Sequence, residues 1–213
     1  MKEPEPGPIV LVVDDDPSFR RAVHRLLRTE AFQIELFSSA DEVLARGPLN
    51  GPGCILLDLH LPGRNGLDLQ AEFARRGIAT PIVFLTGHGD IPSSVIAIRA
   101  GAADFLTKPV PKAALVAALE QAIERDRARR LVDARKQEAL ERLETLTPRE
   151  RQVFHLVVRG RLNKEIAGEL GTTESTIKVH RGRVMQKMQV SSVADLVRVA
   201  EAAGVDGASG ESY

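Results

Sequence analysis

The chain has 213 residues, 43% hydrophobic and 27% charged, and its 29 Lys and Arg balance 29 Asp and Glu. That is long for one small domain and about right for two, and the composition excludes a chain disordered throughout. A single cysteine, Cys54, excludes an internal disulfide or a cysteine-rich metal site, and no apolar run approaches the ~20 residues a membrane helix requires.

Residues 1–8 are polar and proline-rich with no apolar signal segment, so the chain reads as cytoplasmic. The next hundred residues alternate short apolar runs with amphipathic stretches, the pattern of βα units on a parallel sheet. Strands are predicted at 9–13, 33–37, 54–57, 82–85 and 104–106. The third and fourth are almost wholly apolar, as strands covered on both faces should be, and Cys54 reads as a buried structural thiol. A helix is predicted over 17–30, capped by Asp16 with Pro17 in its first position, and others near 39–45, 66–76 and 93–100. The expected fold is α/β, an open doubly wound five-stranded parallel sheet.

Residues 112–144 contain no Gly or Pro and are rich in Ala, Leu, Glu and Arg, which predicts one helix of roughly 50 Å at ~1.5 Å per residue. Leu115, Leu119, Ala122 and Ile123 form an apolar stripe suited to docking on the sheet. Residues 124–130 are charged all round and read as a solvated linker, while Leu131, Ala134, Leu140 and Leu143 offer at most a weak dimer seam.

Residues 147–200 read as four short helices. Thr147, Pro148 and Glu150 make a capping box with proline at the first position, and Gly160 stops that helix. Asn163 is the expected cap of the second, Gly171 the turn, Thr172 or Thr173 the cap of the third, and Ser191 or Ser192 the start of the fourth. The expected division is therefore 1–123, a helical linker 124–145, an all-α four-helix domain 146–203 and a disordered tail 204–213. Charge separates along the same lines: residues 1–111 carry a balance of −3 and residues 146–200 one of +5. A basic C-terminal module suits a polyanion.

In an open parallel sheet, ligands and chemistry gather beyond the C-terminal ends of the strands. That rule selects Asp14 and Asp15 after the first strand, Asp58 at the end of the third, Thr86 after the fourth and Lys108 after the fifth. Clustered carboxylates repel one another, and an oxygen-seeking divalent cation such as Mg²⁺ relieves the repulsion. A lysine and a hydroxyl beside them imply a phosphoryl group. Asp16 is read only as a helix cap.

At Val13-Asp14-Asp15, Leu57-Asp58 with Pro62-Gly63 and Gly66, Thr86-Gly87, Gly101-Ala102 and Lys108-Pro109, the sequence resembles the receiver domain of two-component response regulators, over residues 9 to about 123. The resemblance implies a flavodoxin-like sheet of order 2-1-3-4-5. It implies that Asp58 takes a phosphoryl group from a histidine kinase, and that Asp14, Asp15, Asp58 and the His60 carbonyl hold Mg²⁺. Lys108 would pair with the phosphoryl oxygens, Thr86 and Phe105 would act as the switch, and Lys108-Pro109 would be cis. A flavin-binding flavodoxin is disfavoured, because an acidic loop repels phosphate. A haloacid dehalogenase-type phosphatase shares only the Asp-x-Asp spacing of Asp14 and Asp16, and no P-loop or nucleophile elbow is present.

Residues 163–188 have the helix, glycine turn, helix arrangement of a helix-turn-helix, whose second helix enters the major groove. With Ile177, Val184 and Met188 inward, Ser175, Lys178, Val179, Gly182, Arg183 and Gln186 face outward at ~100° per residue and are the candidate base readers. Arg161, Asn163, Lys164, His180, Arg181 and Lys187 are assigned to phosphates, flanks or packing.

Leu146-Thr147-Pro148-Arg149-Glu150, Asn163-Lys164-Glu165-Ile166-Ala167 and the segment Thr173 to His180 resemble the LuxR-type output domain. Region 4 of sigma factors is the nearest look-alike, disfavoured by the receiver. Joined to a receiver, the module resembles the NarL/FixJ family, and Thr86-Gly87-His88-Gly89-Asp90 tilts it toward the FixJ branch. The family implies a transcription regulator, not an enzyme, that homodimerises when phosphorylated and binds DNA, with RNA polymerase as a further candidate partner and no membrane role. The alternative is a phosphorylation-independent regulator whose receiver is a fixed scaffold.

Overall fold

The structure is a computed structural model, described here for residues 7–87 and 91–205. The expected tail from residue 206 on and the motif residues His88, Gly89 and Asp90 lie outside the described residues. Contacts divide the chain into two units, residues 1–130 and 131–213.

The first unit holds strands β1 (Ile9–Val13), β2 (Gln33–Phe37), β3 (Gly53–Asp58), β4 (Ile82–Thr86) and β5 (Asp104–Thr107), all parallel and in the order β2-β1-β3-β4-β5. Helices α1 (Pro17–Leu27), α2 (Ala40–Arg46), α3 (Gly66–Arg75) and α4 (Ile91–Arg99) alternate with them. Because strand side chains alternate between faces, each strand feeds two cores. Leu11, Val13, Ile55, Leu57 and Phe84 pack with Val43, Leu69, Phe73 and Ala97 on one face. Val10, Val12, Cys54, Leu56, Val83 and Leu85 pack on the other with Val23 and Leu27 of α1 and with Leu115, Leu119, Ala122 and Ile123. Every residue of β3 and β4 is buried, which explains their unbroken apolar character. Burial pushes the Cys54 thiol up to about 12, with the Asp126 charge adding to the effect, so the group is an inert core thiol.

Local signals set the helix starts. The Asp16 side chain accepts the Ser18 N–H with Pro17 in the first turn, and Asn65 with Asp68, and Thr147 with Glu150, form reciprocal capping boxes. Helix α1 ends at Leu27, earlier than expected.

Helix α5 (Lys112–Glu144) is continuous, as its composition predicts. Its residues 124–130 are not simply solvated. Asp126 is fully buried: one carboxylate oxygen accepts the Gly53 N–H at 3.1 Å and Arg130 at 2.6 Å, the other Arg129 at 2.5 Å. Arg130 also donates to the Leu49 carbonyl at 3.1 Å. A buried carboxylate requires such compensation, and all of its partners lie in the first unit.

The second unit contains α6 (Pro148–Val158), α7 (Asn163–Glu169), α8 (Glu174–Lys187) and α9 (Val193–Ala202) around Val153, Phe154, Ile166, Ile177, Val184, Met188, Leu196 and Ala200. Ala139, Leu143 and Leu146 join this core and Leu140 packs against it. Two members of the expected dimer seam are thus committed within the unit, while Leu131 stays exposed. Asn163 is not the cap of α7. Leu162 takes that position and its N–H is held by the Glu165 carboxylate at 2.8 Å. Among the described residues no helix is long and apolar enough to cross a membrane.

Candidate functional site

Parallel register brings the acidic residues together. Val13 is level with Leu57, so the residues that follow, Asp14 and Asp58, emerge side by side at the C-terminal edge of β1 and β3. Asp14, Asp15 and Asp58 each offer a carboxylate oxygen within 4.8 Å of the others. Asp14 and Asp58 are buried and Asp15 is exposed. The chain turn after Asp58 closes tightly: a Cβ on Gly66 would stand 2.7 Å from the Asp58 carbonyl oxygen, so the position admits only glycine. The His60 N–H donates to Asp58 Oδ1 at 3.0 Å.

Lys108 reaches into this cluster from the end of β5, with Nζ 2.5 Å from Asp14 Oδ2 and 2.6 Å from Asp58 Oδ2. The Lys108–Pro109 peptide is cis. Burial works against the ammonium charge, but the two carboxylates outweigh it and the Lys108 pKa stands above its ordinary value. Burial likewise pushes the Asp14 carboxyl above its usual range, against the opposing pull of Lys108 and of the Asp16 N–H. One lysine among three carboxylates leaves the cluster short of positive charge, and its donors are all hard oxygens. The set therefore suits a hard divalent cation such as Mg²⁺.

Thr86 ends β4 and is completely buried, and its Oγ1 has no hydrogen-bond partner among the described residues. Its carbonyl accepts the Lys108 N–H at 2.7 Å. Phe105 is half-buried, its ring centroid 6.2 Å from that of Phe84. Two contacts escaped the sequence reading. The Phe19 ring lies 4.1 Å from Lys108 Nζ, and Arg20 Nη1 donates to the Asp14 carbonyl at 2.5 Å. Both sit in the first turn of a helix whose cap, Asp16, adjoins the acidic pair, which was the available signal.

In the second unit, Ser175, Lys178, Val179, Gly182, Arg183 and Gln186 of α8 are all exposed, and Ile177, Val184 and Met188 are fully buried beneath them. Val179 is 53% exposed. Arg161 and Lys164 are exposed on and before α7. Others are engaged internally. Arg181 donates to the Asn163 side-chain oxygen at 2.9 Å, joining the two helices of the motif. Lys187 binds the buried Glu150 at 2.7 Å and the Thr145 carbonyl at 2.9 Å. His180 is half-buried, with an unpartnered Nδ1.

Residues 10–120 match the response regulator receiver domain, and residues 144–200 match the luxR family of bacterial regulatory proteins. The chain is 46% identical to nodulation protein W of Bradyrhizobium diazoefficiens, covering 92% of this chain and 87% of that protein. It is 39% identical to the transcriptional regulatory protein FixJ of Azorhizobium caulinodans, covering 92% and 93%. The solved structure of the response regulator StyR superposes with a TM-score of 0.84 at 43% identity, covering 92% of this chain and 98% of that one. With both domain types present in this order, the chain belongs to the response regulators that couple a receiver to a LuxR-type DNA-binding domain, the NarL/FixJ family of transcription regulators.

Proposed function

We propose that Asp58 is the phosphoacceptor and that its modification controls DNA binding through receiver dimerisation. The carrying observation is Lys108, held between Asp14 and Asp58, together with a buried Thr86 hydroxyl that has no partner among the described residues. An Asp58 carboxylate oxygen attacks the phosphorus of a phosphohistidine on the kinase. The phosphohistidine ring reacts protonated on its other nitrogen, so that as the phosphorus–nitrogen bond breaks it leaves as neutral imidazole, and an acyl phosphate forms on Asp58. Asp14, Asp15, Asp58 and the His60 carbonyl are the candidate holders of Mg²⁺, which when bound would offset phosphoryl charge.

Lys108 loses Asp58 as an ion-pair partner and turns to the phosphoryl oxygens, a charge already in place where charge develops. The Thr86 hydroxyl gains an acceptor. Its movement frees space that Phe105 fills by packing, since that ring has no hydroxyl with which to bond. The face of α4, β5 and α5 then pairs two receivers, and two α8 helices reach half-sites about one DNA turn apart. Lys178 and Val179 are the leading base contacts, to guanine O6 or N7 and to a thymine methyl. RNA polymerase is a further partner in this reading.

The test is Asp58→Asn, with dimerisation followed by sedimentation and DNA affinity measured with and without beryllofluoride. The native chain should dimerise and bind more tightly on treatment and the variant should not. Equal dimerisation and DNA binding in both would instead support a receiver that serves as a fixed scaffold.

A further inference from the structure

The first unit has a second concavity, at the opposite end of the sheet from Asp58. The start of β4, the end of α3, the turn before β5 and the side of α5 enclose a cleft of about 490 Å³. Pockets that take small organic molecules run from roughly 300 to 1,000 Å³. Its apolar lining includes Phe73, Ile78, Pro81 and Ile82, and Arg125 and Arg129 are its basic residues. Thr80 is a buried hydroxyl-bearing residue of the lining.

The charges on the α5 side are unequal. Asp126 is the only acidic residue of the lining, and its carboxylate is directed inward to Gly53, Arg129 and Arg130. Arg125 is exposed at the edge, where Nη1 donates to the Ala103 carbonyl at 3.0 Å. It meets no carboxylate among the described residues. An apolar lining, a hydroxyl and a guanidinium with donors to spare define the complement of a particular ligand. Inorganic phosphate would leave the apolar lining unused, and a neutral hydrocarbon would leave the guanidinium unused.

We propose that this cleft binds a small organic anion that joins a flat or compact apolar body to a carboxylate. The body lies on Phe73, Ile78 and Pro81, and the carboxylate meets Arg125 and the Thr80 hydroxyl. Strand β4 separates the site from the acidic cluster, with Ile82 at the cleft and Thr86 at the other end. Binding is therefore independent of Asp58.

The test is a fluorine NMR titration of the full chain with 4-fluorobenzoate, in competition with cyclohexanecarboxylate, benzyl alcohol and inorganic phosphate. Saturable binding is expected, displaced by cyclohexanecarboxylate alone among the competitors and retained in Asp58→Asn. Arg125→Gln should weaken it by about ten-fold or more through loss of a charge-assisted pair. Ala74→Trp, at an exposed position of α3 that lines the mouth, should abolish it. Arg125 is exposed, so its variant folds and keeps the comparison decisive even if the tryptophan variant does not fold. Absence of saturable binding, binding unaffected by Arg125→Gln, or equal displacement by phosphate or benzyl alcohol would overturn the proposal.

Discussion

Asp126 on α5 accepts the main-chain N–H of Gly53 at 3.1 Å, tying the long helix to the first residue of the strand that ends at Asp58. Gly53 is confined there as well, since a Cβ at that position would approach the Ile9 carbonyl oxygen to 2.2 Å. Replacing Asp126 with Ala strands a buried N–H, whereas Arg129 and Arg130 are about one-third exposed and can turn to water. The expected loss is about 1–3 kcal/mol of receiver stability. Urea denaturation of the variant checks it, and an unchanged midpoint would show that water replaces the carboxylate at no cost.

Thr86 carries the opposite expectation. A buried hydroxyl with no partner costs about 1–3 kcal/mol relative to an apolar group of the same shape. Thr86→Val should therefore stabilise the unmodified receiver by about 1 kcal/mol while suppressing the rise in DNA affinity with beryllofluoride. Thermal unfolding and fluorescence anisotropy read the two effects separately, and a variant that lost stability would contradict the assignment.

Lys108→Ala leaves Asp14 and Asp58 facing each other without their shared cation. Phosphorylation by a small-molecule donor should slow by about 100-fold, the scale of losing a preorganised electrostatic contact at a developing charge. The rate constant from stopped-flow measurements decides this.

Glu150 links acid stability to the second unit. Lys187 and the Thr147 N–H hold its carboxyl at about 2, below the ordinary 4.5. A depressed folded-state value contributes stability that is fully present above about 4.5 and is lost as pH falls toward about 2. Protection against hydrogen exchange in α6 and α8, taken relative to the intrinsic rate at each pH, should fall over that window in the native chain. In Glu150→Gln protection should start lower at neutral pH and change less.

On DNA, Lys178→Ala should relax base preference at one position, costing about 1–3 kcal/mol of discrimination. Lys164→Ala should weaken all sequences alike and reduce the salt slope by about 1. Binding isotherms at several salt concentrations on selected and scrambled sites distinguish the two, and interchanged behaviour would reverse the roles of the two lysines.

Much of this was legible because the signals are local. Five strands, the proline-started helices and the capping residues follow from short patterns, and the acidic cluster follows from where strands end. The misreadings fall where a distant partner decides. Residues 124–130 look solvated by composition, yet Asp126 is buried because Gly53, far away in the chain, needs an acceptor. Asn163 looks like a cap, but the Leu162 N–H is served by Glu165 and the asparagine by Arg181.

The sequence alone determined the order of βα units and singled out Asp14, Asp15, Asp58, Thr86 and Lys108 at the ends of strands, since each of those signals lies in its own neighbours. Tertiary structure alone decided that Lys108 bridges Asp14 and Asp58, that the Thr86 hydroxyl finds no partner among the described residues, and that a cleft with Arg125 and Arg129 in its lining opens at the start of β4. Those facts depend on register and on packing between residues remote in the chain. A one-dimensional pattern carries neither, because the free energy of such contacts belongs to the pair and not to either residue.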